Sequence, residues 1–131
     1  MIVVDASALV KFLAPKRHDR AFDQRLGRAE SLHAPHLVDV EVANGLRRSV
    51  ADGFIGPDRA LDALLDLRAL PIIRYPHGAL LDRAWELREN LTMYDAVYVT
   101  LAELLEAPVV TCDGRLARAP GLHSRVELFA P

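Results

Sequence analysis

Apolar residues along this chain switch between unbroken runs and helical spacing, and the switches mark out its elements. Ile2, Val3 and Val4 form a continuous apolar run, as a strand buried on both faces does. "ASALVKFLA" then sets Ala8, Leu9, Phe12 and Leu13 at helical spacing, and Pro15 stops that helix. A more polar helix is predicted around "DRAFDQRLGRAES", followed by a short strand at "LHA". Past Pro35, "HLVDVEVANGLRRSVADG" reads as a helix with Val38, Val42 and Leu46 on one face. "PDRALDALLDLRAL" opens with Pro57 in its first turn, a favoured site, and Leu61, Leu64, Leu65 and Leu67 are expected to form its apolar side. "PIIRY" is predicted as a strand, "GALLDRAWELREN" and "MYDAVYVTLAELLE" as helices, "PVVT" as a strand and "RVELF" as an edge strand.

Strands alternating with helices predict an α/β fold with a mostly parallel central sheet flanked by helices. No internal repeat, low-complexity tract or linker interrupts the pattern, so one domain over residues 1–131 is expected. In open parallel sheets, ligands collect beyond the carboxyl ends of the strands. Asp5 and Asp113 sit at two such ends, and would converge if their strands were neighbours.

Composition narrows the setting. Hydrophobic residues at 51% and charged residues at 26% suit a folded globular chain. No apolar run is long enough to cross a membrane, and no basic-then-apolar leader is visible. The single cysteine, Cys112, excludes an internal disulfide framework, reads as a small packing residue and fits a cytoplasmic protein. His18, His33, His36, His77 and His123 show no zinc-ligand spacing. Net charge is −2, which does not announce nucleic-acid binding; among the 16 basic residues, however, only Lys11 and Lys16 are lysines. Arginine's planar fork suits phosphate, although a biased genome composition would produce the same excess.

Four acids stand out because each lies against apolar residues. Asp5 ends the first strand, Glu41 is flanked by Val40 and Val42, Asp95 precedes Val97, and Asp113 follows "VVTC". Each also has a plainer reading. Asp5 is a favoured N-cap for the helix starting at Ala6. Thr92-Met93-Tyr94-Asp95 matches a capping pattern, and Asp113-Gly114 is a common turn pair. Glu41 would face solvent, with Asp39 as its rival, if the helical phase were shifted. Carboxylates brought together repel, so a shared site for all four requires a hard cation such as magnesium.

The set is more specific than its members. "VVDASALV", "APHLVDVEVANGLRR", "TMYDAVYVTLAE" and "PVVTCDGRLARA" together resemble the PIN-domain nucleases, in particular the VapC-type toxins of type II toxin–antitoxin pairs. The resemblance spans nearly the whole chain, in order. It implies that Asp5, Glu41, Asp95 and Asp113 form a catalytic, metal-binding cluster for Mg²⁺, with Mn²⁺ as a substitute. Ser7, Thr111 and Asn44 match the cluster's polar neighbours and are expected to hydrogen-bond its carboxylates or bound water. The implied reaction is metal-assisted endonucleolytic hydrolysis of RNA, without a covalent intermediate. Setting the four acids aside turns the net charge from −2 to +2, and Arg47, Arg48 and Arg115 become candidates for contact with the RNA backbone. The resemblance also implies a homodimer and a cognate antitoxin.

Three other readings share some of these residues. A PIN nuclease of RNA maturation, without an antitoxin, would carry the same acids. A haloacid-dehalogenase-like phosphotransfer enzyme would use Asp5 as nucleophile, but its Asp-x-Asp motif is broken here by Ser7. A non-catalytic interaction domain would use the acids only as caps and turns.

Overall fold

The strands that bury every side chain are the ones that carry the acids. A computed structural model describes residues Met1–Pro131. β1 (Ile2–Val4) and β4 (Val109–Thr111) are buried along their full lengths and pair in parallel, Val3 opposite Val109 and Val4 opposite Val110. β2 (Leu32–Pro35) lies on the other side of β1, with β3 (Ile72–Tyr75) beyond it. β5 (Val126–Leu128) pairs with β4 at the opposite edge. The sheet is entirely parallel, in the order β3-β2-β1-β4-β5. Strand order therefore reverses between β1 and β4, which opens a crevice at their carboxyl ends. The adjacency that Asp5 and Asp113 required is present.

Helices cover the sheet: α1 (Ala6–Leu13), α2 (Arg20–Gly27), α3 (Val38–Ala51), α4 (Pro57–Ala69), α5 (Leu81–Glu86), α6 (Met93–Leu105) and α7 (Gly114–Arg118). α6 is the central one, with Ala96 through Ala102 all buried. α1 crosses α3 at Gly45, where a Cβ would come within 2.8 Å of the Val10 side chain. That close approach brings the helix after Asp5 against the helix bearing Glu41.

Three expectations need correction. The buried stripe of α4 is Ala60, Ala63 and Leu67, whereas Leu61 and Leu65 are 57% and 52% exposed. "ALDALLDL" holds two apolar stripes one position apart, and the stripe with small alanines lets α4 pack against α1 and α3. "GALLDRAWELREN" is not one helix but a 3₁₀ turn (Gly78–Leu80), then α5, then further tight turns through Asn90. Leu80, Ala84, Leu87 and Leu91 keep the buried spacing while the hydrogen bonds tighten to i→i+3. Asp113-Gly114 starts a short helix, α7, rather than a turn. No helix is long and apolar enough to cross a membrane.

Candidate active site

Four carboxylates reach one groove from four separate elements. Asp5 follows β1, Glu41 and Asp95 stand in the first turns of α3 and α6, and Asp113 opens α7 beyond β4. All four line a cavity of about 790 Å³, together with Ser7, Asn44, Arg48 and Arg115.

Asp5 is the most enclosed. Ser7 Oγ donates to its Oδ1 at 2.7 Å, the Ala8 backbone N–H donates to the same oxygen at 2.9 Å, and the Thr111 hydroxyl donates to Oδ2. Both hydroxyls are aimed from behind. Cys112 N–H donates to Ser7 Oγ and Asp113 N–H to Thr111 Oγ1, each at 2.9 Å. A hydroxyl has one proton, and each sends it to Asp5. Asp5 thus caps α1 and lines the groove at once, so the plain reading does not exclude the functional one. Burial still pushes its carboxyl above the ordinary range; Thr111, Ser7 and Ala8 pull it back, and the charge of Asp95 adds to the rise.

Glu41 and Asp95 share that displacement. Burial raises Glu41, a hydrogen bond from Tyr98 opposes the rise, and the charges of Asp95 and Asp5 reinforce it. Burial raises Asp95 as well, with Asp113 pushing the same way and Thr92 and Arg115 opposing. Thr92 caps α6 by accepting the Asp95 N–H at 3.2 Å, so the capping pattern is also present without displacing Asp95 from the groove. Asp113 accepts the Arg115 N–H at 2.8 Å, and the Arg115 guanidinium lies 3.3 Å from its other oxygen. That arginine side chain is 84% exposed, which makes the pair a weak neutraliser.

Asp39, the rival of Glu41, is accounted for elsewhere. Arg74 clamps it with two hydrogen bonds of 2.8 Å, on the β3 side of the fold. Asn44 lines the groove, and its Oδ1 accepts from Arg47 Nε at 2.9 Å. Arg47 itself lies outside the groove lining, unlike Arg48 and Arg115. Burial pushes the Cys112 thiol up to about 11, so it stays protonated at neutral pH and is no nucleophile.

Two kinds of residue escaped the sequence reading. Tyr98 lies three residues after Asp95, the same offset that separates Asn44 from Glu41, and this spacing was a usable signal. Its hydroxyl donates to Glu41 Oε1 at 2.6 Å. The groove walls also carry Lys16 and two exposed aromatic rings, Phe54 and Tyr94, with the Lys16 ammonium 3.7 Å from the Phe54 ring centroid. No local pattern marks these, because the fold alone assembles them. Lys11, also in the lining, is committed to Asp19 at 2.6 Å and to the Ala130 carbonyl.

No three His, Cys, Asp or Glu side chains are arranged to ligate one ion as they stand. The donor set nevertheless fits a hard divalent cation. The cluster acids supply only oxygen atoms, their charges repel one another, and no lysine or arginine forms an ion pair with Asp5, Glu41 or Asp95.

Known proteins resemble this chain in sequence and in fold. The PIN domain family profile matches residues 2–122. Ribonuclease VapC1 of Mycobacterium tuberculosis is 44% identical over 127 residues, covering 96% of each chain. Among solved structures, PAE2754 from Pyrobaculum aerophilum superposes with a TM-score of 0.69 at 28% identity, covering 95% of this chain and 81% of that one. A toxin–antitoxin complex from Klebsiella pneumoniae shares the fold, with a TM-score of 0.65 at 18% identity over 97% of this chain and 96% of that one. The chain belongs to the PIN-domain family and, within it, to the VapC ribonucleases.

Proposed function

We infer that this protein is a divalent-metal-dependent endoribonuclease, the toxin of a toxin–antitoxin pair, with Mg²⁺ as its ion and Mn²⁺ as a substitute. One observation carries the reading: four carboxylates from four elements meet in the crevice where strand order reverses, and three of them are held above their ordinary range. The relationship to Ribonuclease VapC1 supplies the reaction class.

Asp5, Glu41, Asp95 and Asp113 would hold the cation. Once bound, it would neutralise charge on the phosphodiester and activate water for attack. The chain's own residues do the rest. Ser7 and Thr111 fix Asp5 in place and oppose the rise that burial imposes on its carboxyl, because both hydroxyls donate to it. With three donors on its two oxygens and little exposure, Asp5 is a poor nucleophile, which disfavours the phosphotransfer alternative. Arg48, Arg115 and Lys16 line the rim where an RNA backbone would pass, and the exposed Tyr94 and Phe54 rings can stack on unpaired bases. An antitoxin protein is the expected partner, a homodimer the expected assembly and the cytoplasm the expected compartment.

The test is induced expression of the wild type beside Asp5→Asn in a bacterial host, with growth followed and RNA 5′-phosphate ends sequenced. Growth arrest with a few discrete new ends, absent from the variant, is the expected result. Equal growth and identical ends for two soluble proteins would count against the nuclease.

A further inference from the structure

We propose that Tyr98 is a positioning residue, whose buried hydroxyl fixes the Glu41 carboxylate for cation binding; this deepens, and rests on, the metal-nuclease reading above. The Tyr98 side chain is 1% exposed and belongs to the core of α6, yet its hydroxyl reaches Glu41 Oε1 at 2.6 Å. A buried phenol needs an acceptor, and here the acceptor is a groove carboxylate.

The four acids are restrained very differently. Asp5 has three donors, and Asp113 is tied to the Arg115 backbone. Glu41 has a longer side chain, with more rotamer freedom to lose, and Tyr98 is its single hydrogen-bond partner. Because the bond engages Oε1, Oε2 is left without a hydrogen-bond partner on a residue that lines the groove. Tyr98 also stands one turn after Asp95, so α6 carries one cluster acid and the restraint on another. Any shift of α6 would move both together.

A phenylalanine fills the same core space without the hydroxyl, which separates positioning from packing. Tyr98→Phe is expected to weaken Mn²⁺ binding by about 10- to 100-fold, the range for residues that orient metal ligands. Its melting temperature in chelator should match the wild type. In RNA cleavage, kcat should fall while KM for RNA stays unchanged. Glu41→Asp shortens the carboxylate out of reach of Tyr98, so adding Tyr98→Phe to that variant should cause no further loss of Mn²⁺ affinity. Unchanged Mn²⁺ affinity in Tyr98→Phe would overturn the proposal, as would an equal loss in the Glu41→Asp background or a matching drop in melting temperature. A wild-type protein that bound no Mn²⁺ would overturn the metal-nuclease reading itself, and this inference with it.

Discussion

Asp95 and Glu103 stand on the same helix, about two turns apart, and have opposite electrostatic surroundings. Burial would raise both. At Glu103 it is outweighed by Arg83, which clamps the carboxylate at 2.8 and 3.1 Å, and by the His123 N–H at 2.9 Å, so this carboxyl lies below its ordinary value. At Asp95 burial prevails, the nearby Asp113 adds to it, and the carboxyl is held above. Glu127, gripped by Arg25 at 2.6 and 3.2 Å, follows the Glu103 pattern; Asp5 and Glu41 follow the Asp95 pattern. An acid given a cation by its own chain contributes to the fold. An acid denied one, among other acids, is left with a charge that an outside cation would relieve, as the proposed metal site requires.

The sharpest break between the two regions is catalytic. Asp95→Asn should lower RNA cleavage by the purified protein by more than the roughly 100-fold that residues merely orienting a ligand are worth. Glu103→Gln, measured well below its melting temperature, should cleave at the wild-type rate. Equal losses in both variants would show that the comparison reflects folding rather than chemistry.

The second break is in stability and runs the other way. Arg83→Ala leaves Glu103 without its clamp and removes the hydrogen bond to the Gly121 carbonyl, and should cost about 1–2 kcal/mol in urea unfolding. Arg115→Ala, at the exposed groove rim, should leave the urea midpoint unchanged. A large loss of stability from Arg115→Ala would mean that Asp113 is a structural acid after all.

How this contrast was encoded explains what the sequence could reveal. The α/β order and the strands were legible because apolar runs are local features, whereas the four acids stood out as a set only through the family resemblance, and all four line the groove. Asp5 and the Thr92–Asp95 pair were legible as caps too, whereas Asp113 read as a turn and instead caps α7; Asp5 and Asp113 show that a cap and a groove acid can be one residue. The partners were hidden. Nothing local tells Asp39 from Glu41; Arg74, 35 residues away, makes the distinction by claiming Asp39. Tyr98 was passed over even though it stands one turn after Asp95, since its hydroxyl acquires a role only where it reaches Glu41 on α3. In α4 the leucines outnumber the alanines, but close helix packing selected Ala60 and Ala63 for the interior.

The smallest effect tests the comparison through pH. Asp5, Glu41 and Asp95 have folded-state pKa values above the ordinary values of 3.8, 4.5 and 3.8, so the folded protein holds these protons more tightly than the unfolded chain. Their penalty is absent below those ordinary values and complete above the raised ones. Glu103 and Glu127 lie below 4.5; the stability they contribute is present above that value and is lost as pH falls through their lowered pKa values. In chelator, the melting temperature should therefore peak at mildly acidic pH and decline in both directions. Asp95→Asn should flatten the neutral limb and raise the melting temperature at neutral pH, by a smaller margin than Arg83→Ala lowers it. Saturating Mg²⁺ should flatten the same limb in the wild type, by supplying the missing counter-charge. Glu103→Gln should alter only the acidic limb. If Asp95→Asn instead lowered the melting temperature at neutral pH in chelator, Asp95 would belong with Glu103 among the structural acids, and the division between the two ends of α6 would fall.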